Sequence, residues 1–180
     1  PLRRLWALTE LWLATGDESF LAELESDEMA NAFFAEVGQL WWQNRLWRVL
    51  DVALEPALFP AGWGEAAQAA LVSMADGWVS DQQTHAYRRV WYDVEHPYFH
   101  LAGWGNNLYM PLRPLVAAWH LTGDEQYRES ALLGVDYHQG ANGQGLVGTT
   151  GLGEHHVSSA LHLPSWADGV DEVTPGITLY

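Results

Sequence analysis

The sequence contains no cysteine, no lysine and no long apolar run. Together with the charge balance, these absences exclude several kinds of site and partner. Without cysteine there are no disulfides and no thiolate ligands for a metal ion. The eight basic residues are all arginine and are outnumbered by 23 acidic residues, so the net charge is −15. That charge argues against nucleic acid or an anionic membrane surface as a partner. No stretch resembles a membrane-spanning helix or a signal peptide.

Aromatic residues, in contrast, are abundant, with eleven tryptophans and seven tyrosines. Flat aromatic side chains fill helical cores, but they also stack on the apolar faces of sugar rings. The composition therefore leaves open both a Trp-rich core and a carbohydrate-binding surface. A chain of 180 residues that is 48% apolar suffices for one domain or part of one.

Apolar residues at helical spacing predict a mostly helical chain. The predicted helices cover about 2–15, 17–24, one or two helices within 31–58, 65–79, 107–121 and 124–137. Pro56 and Pro60 are expected to end the third of these regions. Pro111 is placed near the first turn of the helix over 107–121, and Pro114 conflicts with the interior of that helix.

A ten-residue pattern occurs twice, as LWLATGDESF over 11–20 and as AWHLTGDEQY over 118–127. In each copy a glycine (Gly16, Gly123) ends one helix and an aspartate (Asp17, Asp124) is predicted to cap the next. Repeated helix-turn-helix units indicate an α-toroid, in which helical pairs close around an axis. The predicted fold class is therefore all-α, with a helical scaffold over about 1–138. The glycine-rich remainder, about 139–180, is predicted to be a functional loop region.

Five short motifs follow one another in the last third of the chain. They are a helix ending in Asp-Tyr (136–137), Gly-x-Asn (140–142), Thr-Gly-x-Gly-Glu (150–154), a His near a Ser (His162, Ser165), and Asp-Gly before Pro-Gly (168–169, 175–176). Their order and spacing resemble glycoside hydrolase family 9, which contains endoglucanases, cellodextrinases and exo-glucosaminidases. The resemblance implies an (α/α)6 toroid, present here as part of a single domain over 1–180.

The same resemblance implies hydrolysis of β-linked glucan or glucosamine-type oligosaccharides with inversion. In that family the base is an Asp of an Asp-Ala-Gly-Asp-like motif, and the acid is a Glu after the Pro-Gly turn. This sequence contains no such Asp motif and ends at Tyr180 before that Glu. We therefore assign no catalytic residue here, interpret the chain as a piece of a longer polypeptide, and expect it to be inactive alone. We expect a secreted or periplasmic location, with a cytoplasmic one as the alternative.

The resemblance also indicates substrate-binding residues. His162 matches a His-His-Arg-like segment that binds sugar hydroxyls, although Leu163 replaces the Arg, which favours an exo-acting or amino-sugar enzyme. The alternative for His162 is a loop-packing residue bonded to a backbone carbonyl. Trp104 matches a Trp-Gly-Ser-Asn-like stretch and is predicted to stack on a sugar. Asn107 or Asn106 is predicted to bind its hydroxyls, with Asn106 as a plain helix N-cap the alternative. In the Gly-x-Asn turn, Gly143 replaces the Pro of the family, and Asn142 is expected to be structural and not catalytic.

Two clusters raise the question of a metal ion. His155 and His156 are adjacent, but neighbouring His side chains usually diverge and no HExxH spacing is present, so we expect a sugar contact and no metal site. The acidic residues Asp168, Asp171 and Glu172 could hold a structural calcium ion, although a solvated acidic turn is the favoured interpretation. No cofactor is required, the expected partner is an oligo- or polysaccharide, and the oligomeric state is not predicted.

Two other functions remain open at this stage. The chain could belong to another α-toroid carbohydrate enzyme, such as a polysaccharide lyase or a sugar epimerase, in which a His or Tyr would act as the base. It could also be a non-catalytic sugar-binding domain that uses the toroid as a scaffold.

Overall fold

The computed structural model describes residues 2–38, 46–84, 86–88, 104–158, 167, 169–170 and 174–178. This part of the chain contains seven α-helices and a 3₁₀ turn over Pro56–Leu58. The helices are α1 (Leu2–Thr15), α2 (Glu18–Leu24), α3 (Asp27–Val37), α4 (Leu46–Leu54), α5 (Trp63–Thr84), α6 (Trp104–Thr122) and α7 (Glu125–His138). Within the same ranges β-structure is limited to two isolated bridges. The prediction of an all-α fold is confirmed.

The helices form two layers. Helices α4 and α6 lie side by side in one layer, and α3, α5 and α7 lie side by side in the other. Each consecutive pair from α4 to α7 packs face to face, so the chain alternates between the layers. Helix α1 packs on α2 and α3, and the indole of Trp12 donates a hydrogen bond to the carbonyl of Leu58, just after α4. This alternation of helical pairs is that of an (α/α)6 toroid, of which the chain supplies part.

The two copies of the repeat fold alike. Gly16 and Gly123 both adopt the left-handed conformation, with φ of 65° and 71°, and end α1 and α6. In each copy the next aspartate accepts a hydrogen bond from the N–H two residues later, at 2.9 Å for Asp17 and 3.0 Å for Asp124. Hydrogen bonds from Ser19, first from its side chain and then from its backbone N–H, stabilise the carboxylate and lower the pKa of Asp17. Both predicted caps are confirmed.

Two helix boundaries differ from the prediction because of residues near their ends. Helix α3 begins at Asp27, four residues before the predicted start, because the Ser26 hydroxyl caps it by accepting a bond from Met29 N–H at 3.4 Å. Helix α5 continues to Thr84 instead of ending at 79. Gln82, in this extension, is buried and exchanges hydrogen bonds with Ser130 of α7, at 2.9 Å each.

Helix α6 begins at Trp104, three residues before its predicted start. Pro111 therefore lies in the helix interior, and the placement near the first turn was wrong. The alternative of Asn106 as an N-cap is also wrong, since Asn106 lies inside the helix. Pro114 is buried and the helix continues past it, although neither proline can donate a backbone hydrogen bond. Helix α6 packs on both α5 and α7, which favours the helical conformation despite the two missing bonds.

The buried core includes residues from each of the seven described helices. Its largest members are Trp63 and Phe33, whose rings stack with centroids 4.1 Å apart and planes within 4°. Helices α5 and α7 are also joined by the hydroxyl of Tyr127, which donates to the carboxylate of Asp76 at 2.7 Å. Since 76 pairs with 127 and 82 with 130, α5 and α7 run parallel. Their C-termini therefore lie at the same end of the molecule.

Apolar side chains also remain exposed on the α4–α6 layer. They include Leu54, Val116 and Trp119, which border an open groove of about 610 Å³ between the two helices. The indole of Trp119 donates to Glu125 at 3.2 Å, and the guanidinium of Arg128 lies 5.9 Å from its ring centre. Among the described helices, none combines the length and the apolarity needed to cross a membrane.

Candidate functional site

One end of the helical layers collects most of the residues that the sequence singled out. Helices α5 and α7 both finish at this end, and α6 starts there because the tight turn at Gly123 joins α6 to α7 at the opposite end. The glycine-rich segment that follows His138 lies over it. We call this surface the loop end, formed by 86–88, the first turn of α6 and residues 139–158 with 174–178. Trp104 and Asn107 are placed in that first turn.

The first turn of the glycine-rich segment is organised by Asn142. Its side-chain N–H groups donate to the carbonyls of Tyr137 and Leu146, at 2.8 and 2.9 Å. Its side-chain oxygen accepts from the N–H groups of Gln144 and Leu146, at 3.0 and 3.3 Å. With four bonds and only 8% of its surface exposed, the amide is fully used within the protein. Asn142 is structural, as the sequence predicted.

His138, at the end of α7, contacts Gly148 through both its backbone carbonyl and its ring. The N–H of Gly148 donates to the carbonyl of His138 at 2.9 Å, and the His138 ring is buried beneath this glycine. A Cβ at position 148 would lie 2.5 Å from Cε1 of that ring, which is closer than side chains approach one another. The imidazole Nε2 lies 3.4 Å from the Thr149 hydroxyl. His138 therefore anchors the loop to the end of α7.

Thr150 ties the loop to the segment 174–178. Its N–H donates to the carbonyl of Ile177 at 2.9 Å, and its own carbonyl accepts from Gly176 N–H at 2.7 Å. Its hydroxyl donates to the carbonyl of Thr174 at 2.7 Å and accepts from Ile177 N–H at 2.9 Å. Beside it, the hydroxyls of Thr149 and Thr178 lie 3.0 Å apart. This long-range arrangement was not found from the sequence.

The two adjacent histidines take different environments. His155 is exposed, and its carbonyl accepts from Val147 N–H at 2.8 Å. His156 is half-buried, with Nδ1 3.1 Å from the N–H of Gly151 and 2.9 Å from the carbonyl of Val157, so its tautomer selects one of these two partners. His156 belongs to the extended bridge with Val147, where consecutive side chains alternate in direction. Among the described residues, no three His, Asp or Glu side chains form a group able to hold a metal ion.

Tyr87 is a residue of the loop end that sequence reasoning missed. Its ring is 55% exposed, and Cε2, Cζ and Oη lie 3.3–3.4 Å from an ideal Cβ position at Gly143. The following residue, Arg88, has a φ of 53°, which is uncommon for a side chain other than glycine. The only sequence signal was Gly143 itself, since the close approach of the ring leaves little room for a side chain there.

Several predicted residues lie outside the described part of the chain. These are His162, Ser165, Asp168, Asp171 and Glu172. The side chains of Trp104 and Asn107 are also outside it, although their backbone is in α6. The predicted sugar contacts and the calcium cluster therefore stay predictions.

The helices of the described residues define an all-α, partial toroid scaffold, and the comparisons with known proteins specify its family. The model of Glycosyl hydrolase family 9 matches residues 3–177. The chain therefore belongs to glycoside hydrolase family 9, as its motifs indicated.

A curated relative, Endoglucanase C of Cellulomonas fimi, is 28% identical to the chain over 152 residues. The match covers 83% of this chain and 13% of the relative, so the chain spans a small part of the length of that protein. No solved structure matches the chain.

Proposed function

We propose that the chain is part of the catalytic domain of an inverting glycoside hydrolase that acts on β-linked glucan or glucosamine-type chains. The observation that carries this proposal is the family match across residues 3–177. The name of the relative, an endoglucanase, supports a β-glucan as substrate. The same match favours a hydrolase over the lyase and epimerase alternatives.

Residues 1–180 would form part of a single toroid, with 1–138 as its scaffold and 139–180 as one wall of the substrate cleft. The general base and general acid would lie on other parts of the polypeptide. Inversion requires these two carboxyl groups on opposite faces of the sugar, far enough apart to admit a water molecule. In this proposal the described residues supply binding and positioning, and the isolated chain has no activity. The substrate being a polymer, we propose a secreted or periplasmic location.

The cleft would lie over the loop end. Trp104 would stack on a sugar ring, and Asn107, one turn away on the same helix, would bind a hydroxyl. The exposed His155 and the Nε2 atom of the half-buried His156 would offer further hydroxyl contacts. His162 would bind next to the scissile bond. No metal ion is required, while a structural calcium ion at Asp168 and its neighbours remains part of the hypothesis.

The test is hydrolysis of β-glucan, cello-oligosaccharides and chito-oligosaccharides by the complete polypeptide that contains this chain. His162→Ala should lower kcat/KM about 100-fold, since a hydrogen bond made near the reacting centre contributes about 2.7 kcal/mol or more. The matched control is His120→Ala, because His120 is an exposed histidine at the opposite end of α6. A loss of activity equal in both variants, or no turnover by the unaltered polypeptide, would contradict the proposal.

A further inference from the structure

Thr150 uses every polar atom it has to hold the segment 174–178. Its backbone N–H and carbonyl make two of the four hydrogen bonds described above, and its hydroxyl makes the other two. The residue is 2% exposed, so water does not compete for these bonds. Pro175 packs against Gly151, where a Cβ would lie 2.8 Å from the proline Cβ. The result is a fixed crossing of two segments that are 24 to 27 residues apart in sequence.

Residues 155–157, which also contact the stretch 147–150, are held by backbone hydrogen bonds as well. Val147 N–H donates to the carbonyl of His155, and Val157 N–H donates to the carbonyl of Val147 at 3.1 Å. Residues 155–157 and residues 174–178 are therefore both attached to the stretch 147–150, which is itself anchored on His138. Ile177 is therefore held in place by Thr150 and, through that stretch, by the end of α7.

We propose that Thr150 is a positioning residue for the general acid. This inference rests on the proposed function, in which the acid follows the turn at Pro175 and Gly176. The hydroxyl of Thr150 holds the backbone on both sides of that turn, at Thr174 and at Ile177. A change of this crossing by about 1 Å would move the acid away from the leaving oxygen. Such a displacement is expected to cost about 100-fold in rate.

The test compares two substrates that differ in their need for the acid. A cello- or chito-oligosaccharide has a poor leaving group, whose oxygen must be protonated as the bond breaks. A 2,4-dinitrophenyl glycoside of the same sugar has a leaving group that departs as a stable anion and needs no proton. Thr150→Val keeps the side-chain shape and removes the hydroxyl. In the complete polypeptide, it should lower kcat on the oligosaccharide about 10- to 100-fold, with less than about a threefold change on the dinitrophenyl glycoside.

Two variants serve as controls. Thr150→Ser restores the hydroxyl and should return kcat on the oligosaccharide to within about threefold of the unaltered enzyme. Thr122→Val also removes one donated and one accepted hydrogen bond, to Ala118 and from Asp124, but at the other end of α6. It should leave the ratio of the two kcat values unchanged. An equal loss on both substrates in Thr150→Val would mean a general structural role and would overturn the proposal.

A second measurement does not depend on activity. Amide hydrogen exchange in the complete polypeptide should be at least about tenfold faster at Ile177 in Thr150→Val, because this N–H loses its acceptor. Thr122→Val should not affect it. Unchanged exchange at Ile177 would overturn the positioning role even if activity fell. If the complete polypeptide hydrolyses neither substrate, the proposed function fails, and the exchange result still decides whether Thr150 fixes the crossing.

Discussion

Removing the side chain of Asn142 should open the glycine-rich segment without unfolding the helices. In Asn142→Ala four backbone groups lose their partner, but their surroundings differ. The N–H of Gln144 is on an exposed residue and can bind water, and the carbonyl of Tyr137 keeps a 3.4 Å contact with Gly140 N–H. The N–H and carbonyl of the half-buried Leu146 are left without a replacement. At about 1–2 kcal/mol for each of these two groups, the opening free energy should fall by about 2–4 kcal/mol.

Amide hydrogen exchange measures this opening directly. A loss of about 2–4 kcal/mol corresponds to exchange that is about 30- to 900-fold faster at Leu146. Amides of the central turns of α5 should be unaffected. The matched control is Asn142→Asp, which has the same shape but presents an oxygen to the carbonyls of Tyr137 and Leu146.

The control variant adds a pH dependence. One oxygen of the introduced carboxyl faces two carbonyl oxygens in a buried site, and both features favour its neutral form. The other oxygen can accept from the N–H groups of Gln144 and Leu146 in either form, so we expect the folded state to raise its pKa above the unfolded value. Its stability should therefore recover as the pH falls and be lost as the pH rises through the folded pKa. If Asn142→Asp opens no faster than the unaltered chain at pH 7, the hydrogen bonds of the amide nitrogen do not hold this turn, and the reasoning is wrong.

Three further predictions concern the scaffold and the cleft. Gly148→Ala places a methyl group against the His138 ring and should lower the free energy of unfolding by about 1–3 kcal/mol in urea, whereas Gly77→Ala, in open space on α5, should be neutral or stabilising. Burial and the bond to Asp76 raise the pKa of Tyr127 to about 12. The contribution of Tyr127 to the free energy of unfolding should therefore be complete below about pH 10, its pKa in the unfolded chain, and should be lost as the pH rises towards 12. Tyr127→Phe should show no such loss. Parallel curves of the urea midpoint against pH for the two proteins would contradict this prediction. Trp104→Ala should raise KM for oligosaccharides more than it lowers kcat, because stacking on a sugar away from the scissile bond contributes equally to the ground state and the transition state. Steady-state kinetics of the complete polypeptide measure both constants, and a larger effect on kcat would contradict the prediction.

The turns and caps were predictable because their chemistry is local. Gly16 and Gly123 each end a helix in the left-handed conformation, and the aspartate that follows binds an N–H two residues away. Such signals need only a few neighbouring residues, so the sequence contains them in full. The toroid prediction followed from their repetition.

Helix extents were less predictable because distant residues determine them. Helix α5 passes its predicted end since Gln82 meets Ser130, 48 positions later. Helix α6 includes two prolines that local preference places outside or at the start of a helix. In both cases packing between helices overrides the local preference.

In the candidate site, too, local interactions were predictable from the sequence and long-range contacts were not. The role of Asn142 follows from a turn motif of a few residues, and it was predicted. The contact of Tyr87 with Gly143 and the crossing at Thr150 join segments far apart in sequence, so only the fold reveals them. The sugar-binding roles of His162, Trp104 and Asn107 derive from the family resemblance. The sugar contact of His155 or His156 was preferred over a metal site on their spacing, and all these roles remain predictions.

The central claim is that this chain belongs to the cleft of an inverting β-glycosidase. The most direct measurement is the proton NMR spectrum of a cello- or chito-oligosaccharide during the first minutes of hydrolysis by the complete polypeptide. Our account predicts that the α-anomer of the product appears first and then equilibrates with the β-anomer, because water attacks from the face opposite the leaving group. Initial appearance of the β-anomer would show retention and would contradict the account.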